Sequence, residues 1–138
     1  MLALEGIKIL DLSRGYPGAF GTWVLGDLGA EVINIEPPPG ATKQAFEAAQ
    51  PLTDIDKKVE RERKSQYRSL NRNKKSIWLN LRAEEGRNIF YQLAEKADVI
   101  VEGFRPGVVK RLGIDYETIA KINPKIIYCS LSGYGQDG

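Results

Sequence analysis

Apolar and polar positions alternate between two periods along this chain. Ile7 to Leu10 is a short apolar run with β-branched content, closed by Asp11, and predicts a first strand. Leu12 to Gly21 is rich in Gly, Ser and Pro and reads as a loop. Trp23, Val24, Leu25 and Leu28 then show helical spacing up to Gly29, a suitable C-cap. Glu31 to Glu36 sets Val-Ile-Asn-Ile between two acids and predicts a second strand. Strand, loop, helix and strand in so short a span make a βαβ unit.

Pro37 to Gly40 breaks that unit. Residues 41–67 are polar and charged, with Ala45, Ala48, Ala49 and Val59 as the few positions suited to helical turns. They read as a polar insertion, either a lid or a plain surface excursion. Ser76 to Leu81 alternates as a strand. Glu84 to Lys96 follows as a helix, with Ile89, Leu93 and Ala97 on one apolar face. Val99 to Val101 predicts a buried parallel strand. A short helix opens near Pro106 and closes at Arg111 and Leu112, capped by Gly113. Another helix runs from Tyr116 to Ile122, ended by Pro124, and Ile126 to Ser130 is the last strand. The order predicts an α/β domain with a mostly parallel sheet and flanking helices.

Composition narrows the classes. The chain has 138 residues, 42% hydrophobic and 28% charged, as expected of one globular domain. Its 20 basic and 18 acidic residues nearly cancel, but from Asp54 to Lys75 there are nine Lys/Arg against four Asp/Glu. The interleaved acids and few aromatics argue against a nucleic-acid track. The single cysteine, Cys129, excludes an intrachain disulfide and makes a reducing, cytoplasmic location the default. Without histidine, a zinc site of the usual Cys/His type is excluded. No apolar run reaches the roughly 18–20 residues of a membrane span, and the N-terminus does not read as a signal peptide.

Three segments have the chemistry of an anion site. Ser13-Arg14-Gly15-Tyr16-Pro17-Gly18 lies between a strand and a helix, where free N–H groups favour phosphate or carboxylate. The alternative is that its glycines merely let the loop turn. Gly15, Gly18 and Gly21 are three apart, which is not the dinucleotide spacing, although Glu36 imitates a ribose-binding acid. Asn71-Arg72-Asn73-Lys74-Lys75-Ser76 is a basic knot, suited either to phosphate or to a solvated turn. Glu102-Gly103-Phe104-Arg105-Pro106-Gly107 follows a strand, where α/β sheets bind ligands; Gly103 would allow close approach, Phe104 offers a flat face, and Arg105 and Arg111 offer charge. The alternative there is a tight turn with exposed arginines. The closing Ser132 to Gly138 has the composition of an active-site loop, and the chain is expected to be the truncated front of something longer.

These segments resemble, in order and at matching spacing, the family III coenzyme A transferases (CaiB/BaiF), a group that also holds methylacyl-CoA racemases. The matching stretches are Leu4–Ser13, Asp27–Ile33, Leu70–Ser76, Ala97–Val108 and Ser132–Gln136. The resemblance implies a Rossmann-like CoA-binding domain, incomplete over 1–138, at the front of an interlocked homodimeric enzyme. It implies transfer of CoA between a thioester and a free carboxylic acid through an aspartyl intermediate on a residue beyond this chain. No catalytic residue is therefore expected here, and no tightly bound cofactor or metal; a CoA thioester is the substrate. The implied CoA contacts are Tyr16 and Pro17 near the thioester, Leu79, Asn80 and Arg82 around the adenine, and Gly103, Phe104, Arg105 and Arg111 at base and phosphates. Many members have an arginine where this chain has Pro37, so Lys43 or the Asn73–Lys75 knot would have to compensate. Gly103 stands where many transferases have asparagine, which keeps a 2-methylacyl-CoA racemase open as the alternative, and a non-catalytic CoA-binding module after it.

Overall fold

The computed structural model describes residues 1–38, 59, 61, 62, 65 and 68–137. The expected insertion at 41–67 and Lys43 lie outside the described residues, apart from those four isolated positions. Five strands form one sheet: β1 (Lys8–Leu12), β2 (Glu31–Glu36), β3 (Lys75–Trp78), β4 (Val99–Glu102) and β5 (Ile127–Ser130). Their order across the sheet is β3-β2-β1-β4-β5, and every pairing is parallel. Among the described residues, helices run over α1 (Tyr16–Asp27), α2 (Glu84–Glu95), α3 (Val108–Leu112) and α4 (Tyr116–Ile122), and residues 68–70 are helical as well.

Side chains alternate across β1 and divide the core in two. Leu10 and Leu12 join Ile35, Leu79, Phe90, Ala94, Ile100, Ile114 and Ile119 on the face covered by α2 and α4. Ile9 joins Val32, Val101 and Leu25 on the face covered by α1. Period-two alternation makes this inevitable once both faces are covered. Among the described residues no helix is long and apolar enough to cross a membrane.

The local expectations hold at several ends. β2 and α4 have the bounds read from the sequence, and α4 is capped by Asp115, which accepts from the Thr118 amide at 3.2 Å. Hydrogen bonds from Thr118 pull the Asp115 carboxyl below its ordinary value, against the opposing effect of burial. Gly113 follows α3 at φ 69°, a left-handed cap that favours glycine.

Three expectations need correction. The Leu12–Gly21 stretch is not all loop, because α1 starts at Tyr16. Pro17 lies in the first turn, where a missing N–H costs nothing, and Gly18 is needed for packing: a Cβ there would lie 2.3 Å from Ser13 Cβ. β3 starts at Lys75 and stops at Trp78 rather than reaching Leu81, since the Leu79 amide still bonds Glu36 O but Asn80 O then accepts from Ala83 N in a turn. The buried stripe of α2 is Gly86, Phe90 and Ala94, while Ile89 is exposed. Gly86 and Ala94 carry little apolar surface, so hydrophobicity alone rotates the helix about one residue toward Ile89.

Tyr128 on β5 donates from its hydroxyl to Ile114 O at 2.7 Å. Burial, then the carboxylates of Glu102, Asp115 and Glu117, push its pKa well above the tyrosine range. The neutral phenol is therefore the folded form. Its contribution is complete below the unfolded value of about 10 and is lost as pH rises past it. Denaturant titrations at pH 9 and 11 are expected to show stability falling with pH, with a shallower fall in Tyr128→Phe. That variant loses about 1 kcal/mol at neutral pH with its hydrogen bond. Equal alkaline slopes would remove Tyr128 from the effect.

Candidate functional site

The sheet order defines where a ligand would sit. From β1 the chain leaves to β2 on one side, and β4 flanks β1 on the other. The segment after β1 runs into α1 on one face, while that after β4 leads to α3 and α4 on the opposite face. Connections that part in this way leave a crevice at the carboxyl ends of the strands. The segments singled out in the sequence at Ser13–Gly18 and Gly103–Gly107 flank that switch point.

The segment after β1 is held from below. Ser13 donates its amide (2.9 Å) and hydroxyl (2.5 Å) to Asp11 Oδ1. Gly15 is the N-cap of α1, and no side chain caps the helix. Arg14 turns toward β2 and donates to Ile35 O at 2.5 Å. Burial lowers the pKa of its guanidinium from the usual value, and the carboxylates of Glu36 and Asp11 oppose that shift. Tyr16 is 62% exposed and stacks on Phe20, with centroids 5.8 Å apart. Pro17 is exposed beside it.

After β4, the carboxylate of Glu102 is buried and accepts from Phe104 N at 2.8 Å, which fixes the turn at Gly103. A Cβ on Gly103 would meet nothing within 4 Å, so the fold does not demand glycine there; what glycine leaves is open space. Phe104 is half-buried against the α2 face of the core. Arg105 is exposed, and Arg111 lies in the last turn of α3. At the end of β3, Leu79 is buried in that same core, while Asn80 and Arg82 are exposed. Asn80 Oδ1 accepts from Arg82 N at 3.2 Å, and Arg87 reaches back to Arg82 O at 2.8 Å. The turn therefore presents Arg82 from a braced backbone. β3 and β4 stand three positions apart in the sheet, about 14 Å at the usual strand spacing. The residues expected at the adenine and at the phosphates thus occupy one edge of the sheet but separate parts of it.

The basic knot divides in two. Arg72, Asn73 and Lys75 lie in or beside an exposed turn, as a solvated knot would, whereas the Lys74 side chain is buried. Arg72 pairs with Asp27 at 3.0 Å and lies over the Trp23 ring, 4.4 Å from its centroid. Asn73 donates to Asp27, and Lys75 pairs with Glu31. That contact holds the Glu31 carboxyl below its ordinary value. Lys74 turns inward, and its ammonium and the Asp11 carboxylate are each 1% exposed, 3.0 Å apart. The same ammonium donates to Thr22 Oγ1 at 2.8 Å, Ala19 O at 2.9 Å and Asn71 Oδ1 at 3.1 Å. Its three protons are engaged inside the protein, so the knot cannot compensate for Pro37 through Lys74. By contrast, no ion pair is formed by Arg82, Arg105 or Arg111 among the described residues. Asp11, Thr22 and Lys74 went unassigned in the sequence because their pairing spans 63 residues and follows no local period.

A five-stranded parallel sheet with helices on both faces and a switch point between β1 and β4 is a Rossmann-like architecture. The chain belongs to CoA-transferase family III, whose family model matches residues 4–138. It is 45% identical over 138 residues to the succinyl-CoA:glutarate CoA-transferase of Mus musculus, covering all of this chain and 30% of that protein. It is 46% identical over 135 residues to the acetyl-CoA:oxalate CoA-transferase of Acetobacter aceti, covering 97% of this chain and 32% of the relative. A CAIB/BAIF family protein from Brucella suis superposes with a TM-score of 0.79 at 36% identity, over 99% of this chain and 35% of that one. The chain thus spans about a third of the length of these proteins.

Proposed function

We propose that this chain is the amino-terminal, coenzyme A-binding part of a longer acyl-CoA:carboxylate CoA-transferase whose acceptor is a dicarboxylic acid. The observation that carries the reading is the contrast among the cations. Those of the 72–75 knot are neutralised within the domain, while Arg82, Arg105 and Arg111 form no ion pair among the described residues and lie toward the edge where an α/β sheet receives its ligand. Coenzyme A needs such a set, because it joins a base to a ribose phosphate and a pyrophosphate. The dicarboxylate acceptor is supported by the relatives, whose names specify glutarate and oxalate.

In the proposed assignment Phe104, with the open space at Gly103 beside it, offers the flat face for the adenine from the β4 end, while Leu79 and Asn80 line the β3 part of the same edge. Arg82, Arg105 and Arg111 hold the phosphates. Tyr16 and Pro17, at the start of α1, lie toward the thioester. The reaction itself needs a carboxylate from the remainder of the enzyme. That aspartate attacks the thioester carbonyl and expels CoA thiolate, giving a mixed anhydride. The thiolate attacks the aspartyl carbonyl and releases the first acid. The second acid then attacks the aspartyl thioester, and returning thiolate attacks the acceptor acyl carbonyl, which frees the aspartate. An interlocked homodimer is part of the same reading, and the exposed α1 stripe of Tyr16, Phe20, Val24 and Leu28 offers it a surface to cover.

Calorimetric titration of the full-length enzyme tests the site. Arg111→Ala is expected to weaken CoA binding by about 2 kcal/mol, roughly thirtyfold, through loss of a charge-assisted contact. A loss for CoA but not for 3′-dephospho-CoA places Arg111 at the ribose phosphate, and a loss for both places it at the pyrophosphate. Unchanged affinity for CoA leaves Arg111 as a cation serving only the end of α3. The reaction is tested with labelled acyl-CoA and a dicarboxylate. Appearance of the acceptor thioester supports transfer, whereas exchange of the acyl Cα proton without transfer would identify the racemase instead.

A further inference from the structure

We infer that Lys74 is a positioning residue for the proposed CoA site: through Asp11 it sets the shape of the Ser13–Gly15 segment and the first turns of α1. The inference rests on the reading above, because it gives that segment its role in ligand binding. Asp11 is the hub of the arrangement. Its Oδ1 accepts both the amide and the hydroxyl of Ser13, and its Oδ2 accepts from Thr22 Oγ1 and from Lys74. Thr22 belongs to α1, and its hydroxyl, whose one proton goes to Asp11, lies 3.0 Å from Gly18 O. Lys74 holds Ala19 O on the same helix. Gly18 closes the arrangement, since its Cα packs so tightly on Ser13 that any side chain would collide.

The carboxylate thus grips the segment that starts the switch-point crevice, and the ammonium grips both the carboxylate and the helix. Without the cation, a buried carboxylate would have to turn toward water or take up a proton. Either change releases the bonds that fix the Ser13 amide and the direction of the next N–H groups. Lys74 reaches this point from the residue just before β3, so one buried ion pair couples the β1 end, α1 and the β2–β3 side of the sheet.

The experiment compares full-length wild type with Lys74→Met and with Asp11→Asn/Lys74→Met. The double variant carries no unpaired buried charge, so it should recover most of the melting temperature lost by Lys74→Met. Amide exchange of residues 13–19 in the double variant is expected to be about tenfold faster or more, with α2 and β4 unchanged. Affinity for CoA is expected to fall about tenfold or more. A double variant with wild-type protection over residues 13–19 overturns the inference. Lost protection with unchanged CoA affinity also overturns it, because the segment would then be positioned for something else. Failure of wild type to bind CoA would overturn the proposed function, and the exchange comparison would still decide whether Lys74 sets the segment. Should the double variant not fold, Thr22→Val against Thr22→Ser makes the same comparison: only the serine keeps the hydroxyl, and equal protection in both overturns the inference.

Discussion

Lys74→Met lowers the unfolding free energy by about 4 kcal/mol, the usual range for removing one partner of a buried pair being about 3–5 kcal/mol. The reason lies in what remains. Asp11, 1% exposed in the intact pair, is left with its Oδ2 facing an apolar methionine in place of an ammonium. Its other donors, Ser13 and Thr22, are neutral and cannot balance a full charge. The thioether fills much of the volume, so packing loss is a smaller term than the stranded carboxylate. Surface pairs behave differently. Lys75 with Glu31 and Arg72 with Asp27 are mostly solvent-exposed, and breaking either should change stability by less than about 1 kcal/mol. Urea denaturation of the three single variants Lys74→Met, Lys75→Met and Arg72→Met checks the ordering. A Lys74 variant no more destabilised than the other two would show that Asp11 reaches solvent.

Gly86→Val destabilises by about 3 kcal/mol, near the upper end for overpacking. Two effects oppose each other here. Glycine inside a helix is unfavourable, and valine recovers a few tenths of a kcal/mol of propensity. Against this, a Cβ at position 86 would lie 2.2 Å from Asn80 O and 2.7 Å from Asn80 C. These are backbone atoms, so no side-chain rotation relieves the contact. Either α2 lifts off the sheet, exposing Phe90 and Ala94, or the turn at Asn80–Ala83 opens. The second route also displaces Arg82, so CoA affinity should fall together with stability. Denaturant midpoint and CoA titration on the same sample check both. A Gly86→Val protein as stable as wild type would mean that the helix and turn separate at little cost.

Much of the site was legible in outline, and the reasons are local. Glu102 ends a strand, and Gly103 to Gly107 follow as the turn, so sequence order alone places Phe104 and Arg105 at the carboxyl edge. Ser13 to Gly18 are placed by the same logic. Leu79 reads as a strand residue but lies just past β3, and its place in the buried core was not legible because it depends on packing with α2. The cations were the least legible. Nothing in Asn71-Arg72-Asn73-Lys74-Lys75 separates the lysine that turns inward from its neighbours on the surface.

What the sequence determined by itself is the set of elements and their order. Strand alternation, helical spacing and end signals such as Asp115 and Gly113 act over a few residues, so they are written in short stretches of chain. Parallel strands joined by helices then permit few arrangements. Tertiary structure alone decided which charges are shared. Asp11 and Lys74 are 63 positions apart and meet only because β1 and the residue before β3 lie near the same helix. Burial then makes their pairing obligatory, since neither charge can reach water. Among the described residues the same packing gives Arg82, Arg105 and Arg111 no carboxylate partner, and on this contrast the proposed phosphate contacts rest.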